Sequence, residues 1–243
     1  ALGSRGAALK KPYSDAKNST GLFLTTPEEI ERLAYLLAEK GFQMNTHAIG
    51  DAANQVVLDA YEKALAISPD PRWRVEHAQV VEKQDLEKFG PKVIPSVHPT
   101  HATSDMEWAD ERLGEERVQT AYTFKELLDW SGKIALGTDF PVEKVNPLYT
   151  FYSAVARRDS EGKPLGGYQM ENALTRSEAL KGMTLWAAHA NFEEQQKGSI
   201  EVGKVADLIL LTEDIMTINE SAILSAEVLA TIVDGDIVYQ RKK

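Results

Sequence analysis

The sequence predicts an α/β fold built on a parallel sheet, with a small β appendage at the carboxyl end. Three observations carry this. Four short strand-like runs, Gln43–His47, Trp73–His77, Lys92–Val97 and Lys133–Leu136, are each followed by a helical pattern, at a spacing that suits βαβ units. Three of the runs end in or next to His47, His77 and Asp139, at the carboxyl ends where α/β sheets and barrels gather their ligand chemistry. Late in the chain the pattern turns β-like at Leu208–Leu211 and Thr231–Tyr239, with Asp234-Gly235 as a hairpin turn.

The elements follow in order. Residues 1–24 carry Gly, Ser, Lys and Pro without sustained periodicity and read as irregular. Thr26-Pro27-Glu28-Glu29 starts a helix, with a Thr cap, Pro at the first position and Glu three residues on. Ile30, Leu33, Ala34 and Leu37 give it one apolar face, and Gly41 ends it. Asp51 is read as the cap of a helix over Ala52–Ile67, stopped by Ser68-Pro69. A short helix is expected around Glu82–Phe89. A long polar segment from Ser104 to about Gly114 should lead into a helix near Glu115–Trp130. Lys133–Leu136 is short, apolar and bounded by Gly132 and Gly137, which reads as a buried parallel strand. Helices are expected at Leu148–Arg157 and after Thr175-Arg176-Ser177-Glu178, a capping box, with a Gly-rich loop over Ser160–Gly167 between them.

Composition narrows the function. A net charge of -10 over 243 residues disfavours nucleic acid and anionic membranes as partners. With no Cys, disulfide and thiolate chemistry are excluded, and any metal must use His and carboxylates. No apolar run reaches membrane-spanning length, and no signal peptide is visible, so a cytoplasmic location is expected. The chain opens at Ala1-Leu2-Gly3-Ser4-Arg5-Gly6, without Met, and reads as a fragment.

Each candidate residue has two readings. His47 and His77 are metal ligands, or else core or capping histidines. Asp139 is a ligand and proton acceptor, or a helix cap. Together they say more, because parallel strand ends converge and can bind one ion. A divalent metal lowers the pKa of bound water towards ~7, and an adjacent Asp can move the proton to a leaving nitrogen. His98 and His101, at the end of the third strand, are substrate contacts or stabilisers of a tetrahedral intermediate, or a polar loop pair. Arg5 is a contact for a substrate carboxylate, or solvent-exposed. Glu76 should face away from His77 by strand alternation, and Glu107–Glu111 reads as a solvated loop or helix face.

Four segments carry a resemblance to a known family: Val75-Glu76-His77-Ala78-Gln79, Pro99-Thr100-His101-Ala102-Thr103-Ser104-Asp105-Met106, Gly137-Thr138-Asp139-Phe140-Pro141-Val142, and Gly198-Ser199-Ile200 with Gly203-Lys204-Val205-Ala206-Asp207-Leu208. In this order they resemble the amidohydrolase superfamily, in its amidohydrolase-3 branch with the N-substituted formamide deformylase-like proteins, from Ala1 to about Tyr239. The resemblance implies a (β/α)8 barrel metallohydrolase with a small β-sandwich built from both chain ends. It implies that His47, His77 and Asp139 are the metal ligands after strands five, six and eight, with Asp139 shuttling the proton. The family's His-x-His after strand one is absent. The expectation is therefore strands five to eight in residues 1–190, and the carboxyl-terminal part of the sandwich in residues 191–243. The implied cofactor is a divalent metal, zinc, and the implied substrate a small amide. The implied partner is the missing amino-terminal half or a second copy of the chain. The alternatives are a deaminase or cyclic-amide hydrolase of the same superfamily, or a non-catalytic half-barrel that assembles with another chain.

Overall fold

A computed structural model of the chain describes residues 1–67 and 70–242. Strands β1 (Asn45–Ala48), β2 (Trp73–His77), β3 (Val93–Val97) and β4 (Ala135–Leu136) form one parallel sheet in chain order. Helix α1 (Pro27–Lys40) precedes β1, α2 (Asp51–Ala64) links β1 to β2, and α3 (Lys83–Leu86) links β2 to β3. Helices α4 (Pro99–Asp105), α5 (Ala109–Arg117) and α6 (Phe124–Ser131) lie between β3 and β4, and α7 (Pro147–Ala156), α8 (Arg176–Met183) and α9 (Leu185–Ala190) follow. No helix among the described residues is long and apolar enough to cross a membrane.

Register fixes the two faces of the sheet, because paired residues of a parallel ladder share a face. Trp73 pairs with Val93 and Val97 with Leu136, and all four are buried in the core that the sheet shares with its helices. Tyr61 of α2 meets Trp73 edge to face at 4.8 Å. Ile134, Leu136, Val93 and Val97 therefore face the helix layer and leave the opposite face of the sheet to other residues. The other phase lines it instead: His47 with Glu76, Asn45 with Arg74, Arg74 with Ile94, and Ser96 with Ala135. Helix α9 covers part of that face. Ala190 packs on Ile94 and Ala135, and its carbonyl accepts from Gln43 Nε2 at 2.7 Å and Arg74 Nη1 at 3.1 Å.

Local signals set most helix ends. Thr26 Oγ1 accepts from the Glu29 amide, Gly41 closes α1 at φ 72°, and the Thr175–Glu178 capping box starts α8. Helix α2 departs from expectation: Gly50 is its cap. The Asp51 carboxylate accepts from the amides of Ala52 and Lys10, both at 2.9 Å, which ties the amino-terminal segment to the helix start. That segment is irregular, yet Leu2, Leu9 and Tyr13 are core residues. The expected stop at Ser68-Pro69 lies outside the described residues.

The polar segment from Ser104 to Gly114 is largely helical because Ala109 and Leu113 are buried. Burial of Ala109 also takes the Glu107–Glu111 cluster out of a simple solvated loop. The expected single helix to Trp130 is two, divided around Tyr122, whose φ is 59°. The late helix also breaks, at Thr184.

The tail forms a separate antiparallel sheet, β5 (Leu208–Leu211), β6 (Val228–Val233) and β7 (Asp236–Gln240). Asp234 and Gly235 make the turn at φ 50° and 87°, as a two-residue hairpin of the right twist requires. Ile209, Leu210, Ile237 and Val238 of this sheet are exposed.

Candidate metal centre

The carboxyl ends of the four parallel strands bring four histidines and Asp139 together. His47, next to last in β1, meets His77 with ring centroids 4.4 Å apart. His77 lies 4.6 Å from His98 and 5.7 Å from His101 by the same measure. Single ligand atoms of His77, His98 and Asp139 all lie within 4.8 Å of one another. Thus His98, read from sequence as a substrate contact, sits with His77 and Asp139, while His47 flanks His77.

Backbone geometry explains how His77 reaches this group. Register pairs it with Ala48, which is buried, so the pleat alone would aim His77 at the helix layer. Instead His77 has φ 73° and Ala78 φ 43°, left-handed values that turn the ring to the opposite side. Glu76, expected to face away from the site, keeps its alternation and lies on the same side as His47, where its carboxylate accepts from Arg74 Nε at 2.8 Å. Asp139 also has a left-handed φ, 56°. Such strain in non-glycine residues concentrates at functional sites.

Asn54 of α2 holds the loops that follow β1 and β2. Its side-chain amide is fully buried and lies 3.0–3.2 Å from the carbonyls of Ala48, Ile49, Gly50 and Val80.

The chemistry of the donors fits a metal. Nδ1 of His77 and Nδ1 of His98 are buried and have no hydrogen-bond partner, an expensive state for a ring nitrogen unless a ligand takes its lone pair. Burial, with the neighbouring His98 and His47, pushes the His77 pKa far below its usual value, and burial also lowers that of His98. Both shifts favour the neutral ring, the form that ligates.

His101 sits on α4 between two acids. Its Nε2 lies 3.0 Å from Asp139 Oδ2 and its Nδ1 3.1 Å from Glu143 Oε1, which also accepts from Ser104 Oγ at 2.6 Å. Burial lowers its pKa, but the Glu143 bond, the Asp105 charge and the Asp139 bond outweigh this and raise it. The bond from His101 holds the Glu143 carboxyl below its usual range. One turn on, burial raises the Asp105 carboxyl, which accepts from Tyr122 Oη at 2.8 Å and Gln79 Nε2 at 3.1 Å. Arg5 is engaged elsewhere, donating from Nε and Nη2 to Asp15 at 3.0 and 2.7 Å.

Sequence reading missed Glu143, Asp105, Gln79 and Asn54. A signal existed for one of them: Asp105 follows His101 by four residues, one helical turn. A cavity of about 400 Å³ runs along β1 to His47, lined also by Ala7, Leu22, Phe23, Leu24 and Asn45.

Fold and cluster together define a class: parallel α/β proteins with a centre of imidazoles and a carboxylate at their strand ends. The amidohydrolase family profile matches residues 1–239, and the chain belongs to that family, in its amidohydrolase-3 branch. It is 34% identical over 245 residues to the putative amidohydrolase YtcJ of Bacillus subtilis, covering 99% of this chain and 46% of that protein. It is 30% identical over 237 residues to the N-substituted formamide deformylase of Arthrobacter pascens, covering 96% of this chain and 43% of that protein. In structure it resembles an uncharacterized metal-dependent hydrolase from Pyrococcus horikoshii, with TM-score 0.78 and 34% identity over 90% of this chain and 44% of that one. The chain spans less than half the length of the curated relatives it matches over nearly its whole sequence.

Proposed function

We propose that the chain is the strand-five-to-eight half of a (β/α)8 metal-dependent hydrolase that cleaves a C–N bond of amide or N-formyl type. Residues 1–190 supply the half-barrel and residues 191–243 the carboxyl-terminal part of a β-sandwich. The observation that carries the reading is the approach of His77, His98 and Asp139 within 4.8 Å, with two buried ring nitrogens left free. Similarity to the formamide deformylase, a protein named for C–N cleavage, supports the bond type.

His47, His77 and Asp139 would hold the divalent cation, zinc in this reading, with His98 at hand as a further imidazole. When bound, such an ion acidifies water and polarises a carbonyl. The residues of the chain do the rest. His77 and His98 are kept neutral by burial and present lone pairs. Asp139, with one oxygen on His101, has its other oxygen to accept the proton of the attacking water and return it to the leaving nitrogen. His101 fixes the orientation of that carboxylate.

Metal analysis of the chain and of a His47→Ala, His77→Ala double variant tests the centre. Metal should fall to background in the variant, and equal content in both sinks the assignment. A panel of N-formyl amines, cyclic amides and aminated heterocycles, tried on the protein with its barrel completed, separates deformylation from the two alternative reactions. One observation favours a reading as an assembly module: Ile209, Leu210, Ile237 and Val238 leave the antiparallel sheet apolar and open, as a surface awaiting another polypeptide does.

A further inference from the structure

We infer that Glu143 is a positioning residue of the centre: it fixes the His101 ring, and through that ring the Asp139 carboxylate. The inference rests on the metal reading above and deepens it.

The contacts form an unbroken line. Ser104 Oγ donates to Glu143 Oε1 at 2.6 Å, Glu143 Oε1 meets His101 Nδ1 at 3.1 Å, and His101 Nε2 meets Asp139 Oδ2 at 3.0 Å. An imidazole ring can rotate about its side-chain bonds, and one hydrogen bond at Nε2 does not fix its plane. The second anchor at Nδ1 does. Ser104 and His101 lie three residues apart on α4, on one helix face, so the helix presents ring and hydroxyl to Glu143 together. Glu143 is bound on the same loop as Asp139: the amides of Val142 and Glu143 both lie within hydrogen-bond reach of the Asp139 carbonyl, at 2.8 and 3.4 Å. The loop that carries the carboxylate thus also carries the group that aims it.

The consequence concerns a rotamer. Asp139 sits at a left-handed φ in a short loop after a two-residue strand, where the backbone alone holds a side chain weakly. Fixing Oδ2 on His101 sets the orientation of the whole carboxylate, one oxygen of which lies within 4.8 Å of a ring nitrogen of His77 and of His98. A carboxylate oriented in this way by an outer partner is the usual means by which a centre is tuned, and loss of such a partner costs about ten- to a hundredfold in metal affinity.

Cobalt(II) titration of the chain against a chromophoric chelator tests this, followed by the visible spectrum of the bound ion. Glu143→Ala should bind cobalt about tenfold or more weakly, with an altered spectrum and an unchanged unfolding midpoint in the metal-free state. Glu143→Gln keeps an acceptor for Nδ1 and should recover most of the affinity. Ser104→Ala, which leaves the carboxylate in place, should lose less than Glu143→Ala, and it carries the test if Glu143→Ala does not fold. Parent-like affinity and spectrum in Glu143→Ala, or in Ser104→Ala where that alone folds, overturn the positioning role. His77→Ala and Asp139→Ala separate the two readings. If they bind cobalt as the parent does, or if the parent binds none, the centre itself is wrong. If they lose it while Glu143→Ala does not, only the positioning role falls.

Discussion

Asn54→Ala should destabilise the chain by about 3–4 kcal/mol, a large effect for a residue with no hydrogen bond to the clustered histidines or to Asp139. The amide has two hydrogens and four carbonyls within 3.0–3.2 Å. Two of those carbonyls have a second donor: Ile49 O accepts from the Val80 amide and Gly50 O from the Asn54 amide, each at 2.9 Å. The loss is therefore counted on two hydrogen bonds at about 1 kcal/mol each, plus about 1–2 kcal/mol for acceptors left dry. With an m-value of about 3 kcal/mol/M in urea, the midpoint should fall by about 1 M. Urea unfolding followed by circular dichroism, at fixed protein concentration, reads it directly. A shift below about 0.2 M at unchanged slope would mean that the four carbonyls are satisfied without the amide. Asn54→Asp removes both hydrogens and points a charge at carbonyl oxygens, so it should cost more than Asn54→Ala.

Three further outcomes follow. On the proposed function, Asp139→Asn keeps shape but removes the proton acceptor, and turnover by the hydrolase with its proposed barrel completed should fall by about two orders of magnitude or more; near-normal rates would make Asp139 a structural cap. The metal-free chain should lose stability as pH falls below about 6.5, because the unfolded chain protonates His77 and His98 while the folded chain, with both pKa values lowered, does not; urea midpoints equal at pH 5 and 7 would refute this. Light scattering should find the chain associated, since two open strand edges and an apolar sheet invite pairing, whereas a monodisperse monomer with one sharp unfolding transition would contradict that expectation.

What could be read from the sequence was local. Thr26, Gly41, the Thr175–Glu178 box and Asp234-Gly235 act within four residues, and each does in the structure what its chemistry dictates. The strands were legible as apolar runs, but their phase was not. Val93 and Val97 share one face and Ile94 the other, and only the packing of helices against one side decides which is which. The polar stretch at Ser104–Gly114 is helical because Ala109 and Leu113 find a core, a tertiary effect that propensity does not carry. The histidines of the site stood out because His is scarce here. Glu143 and Asp105 did not, being two among 37 acids, and only the four-residue offset of Asp105 from His101 leaves a trace in the string of letters.

The reversed backbone at His77 has a consequence for anyone transplanting this centre. Up to Glu76 the strand obeys a two-residue code, in which odd positions serve the helices and even positions the other face. His77 breaks that code at the last position, so its chemistry is written in a torsion angle rather than in a place along the strand. Copying the four histidines and the aspartate onto another parallel sheet at matching register would therefore aim one imidazole into the wrong layer. The portable unit is the His77-Ala78 corner with both its left-handed residues. A β-branched residue in place of Ala78 should spoil the centre while leaving every ligand in the sequence, because such side chains resist that conformation most strongly.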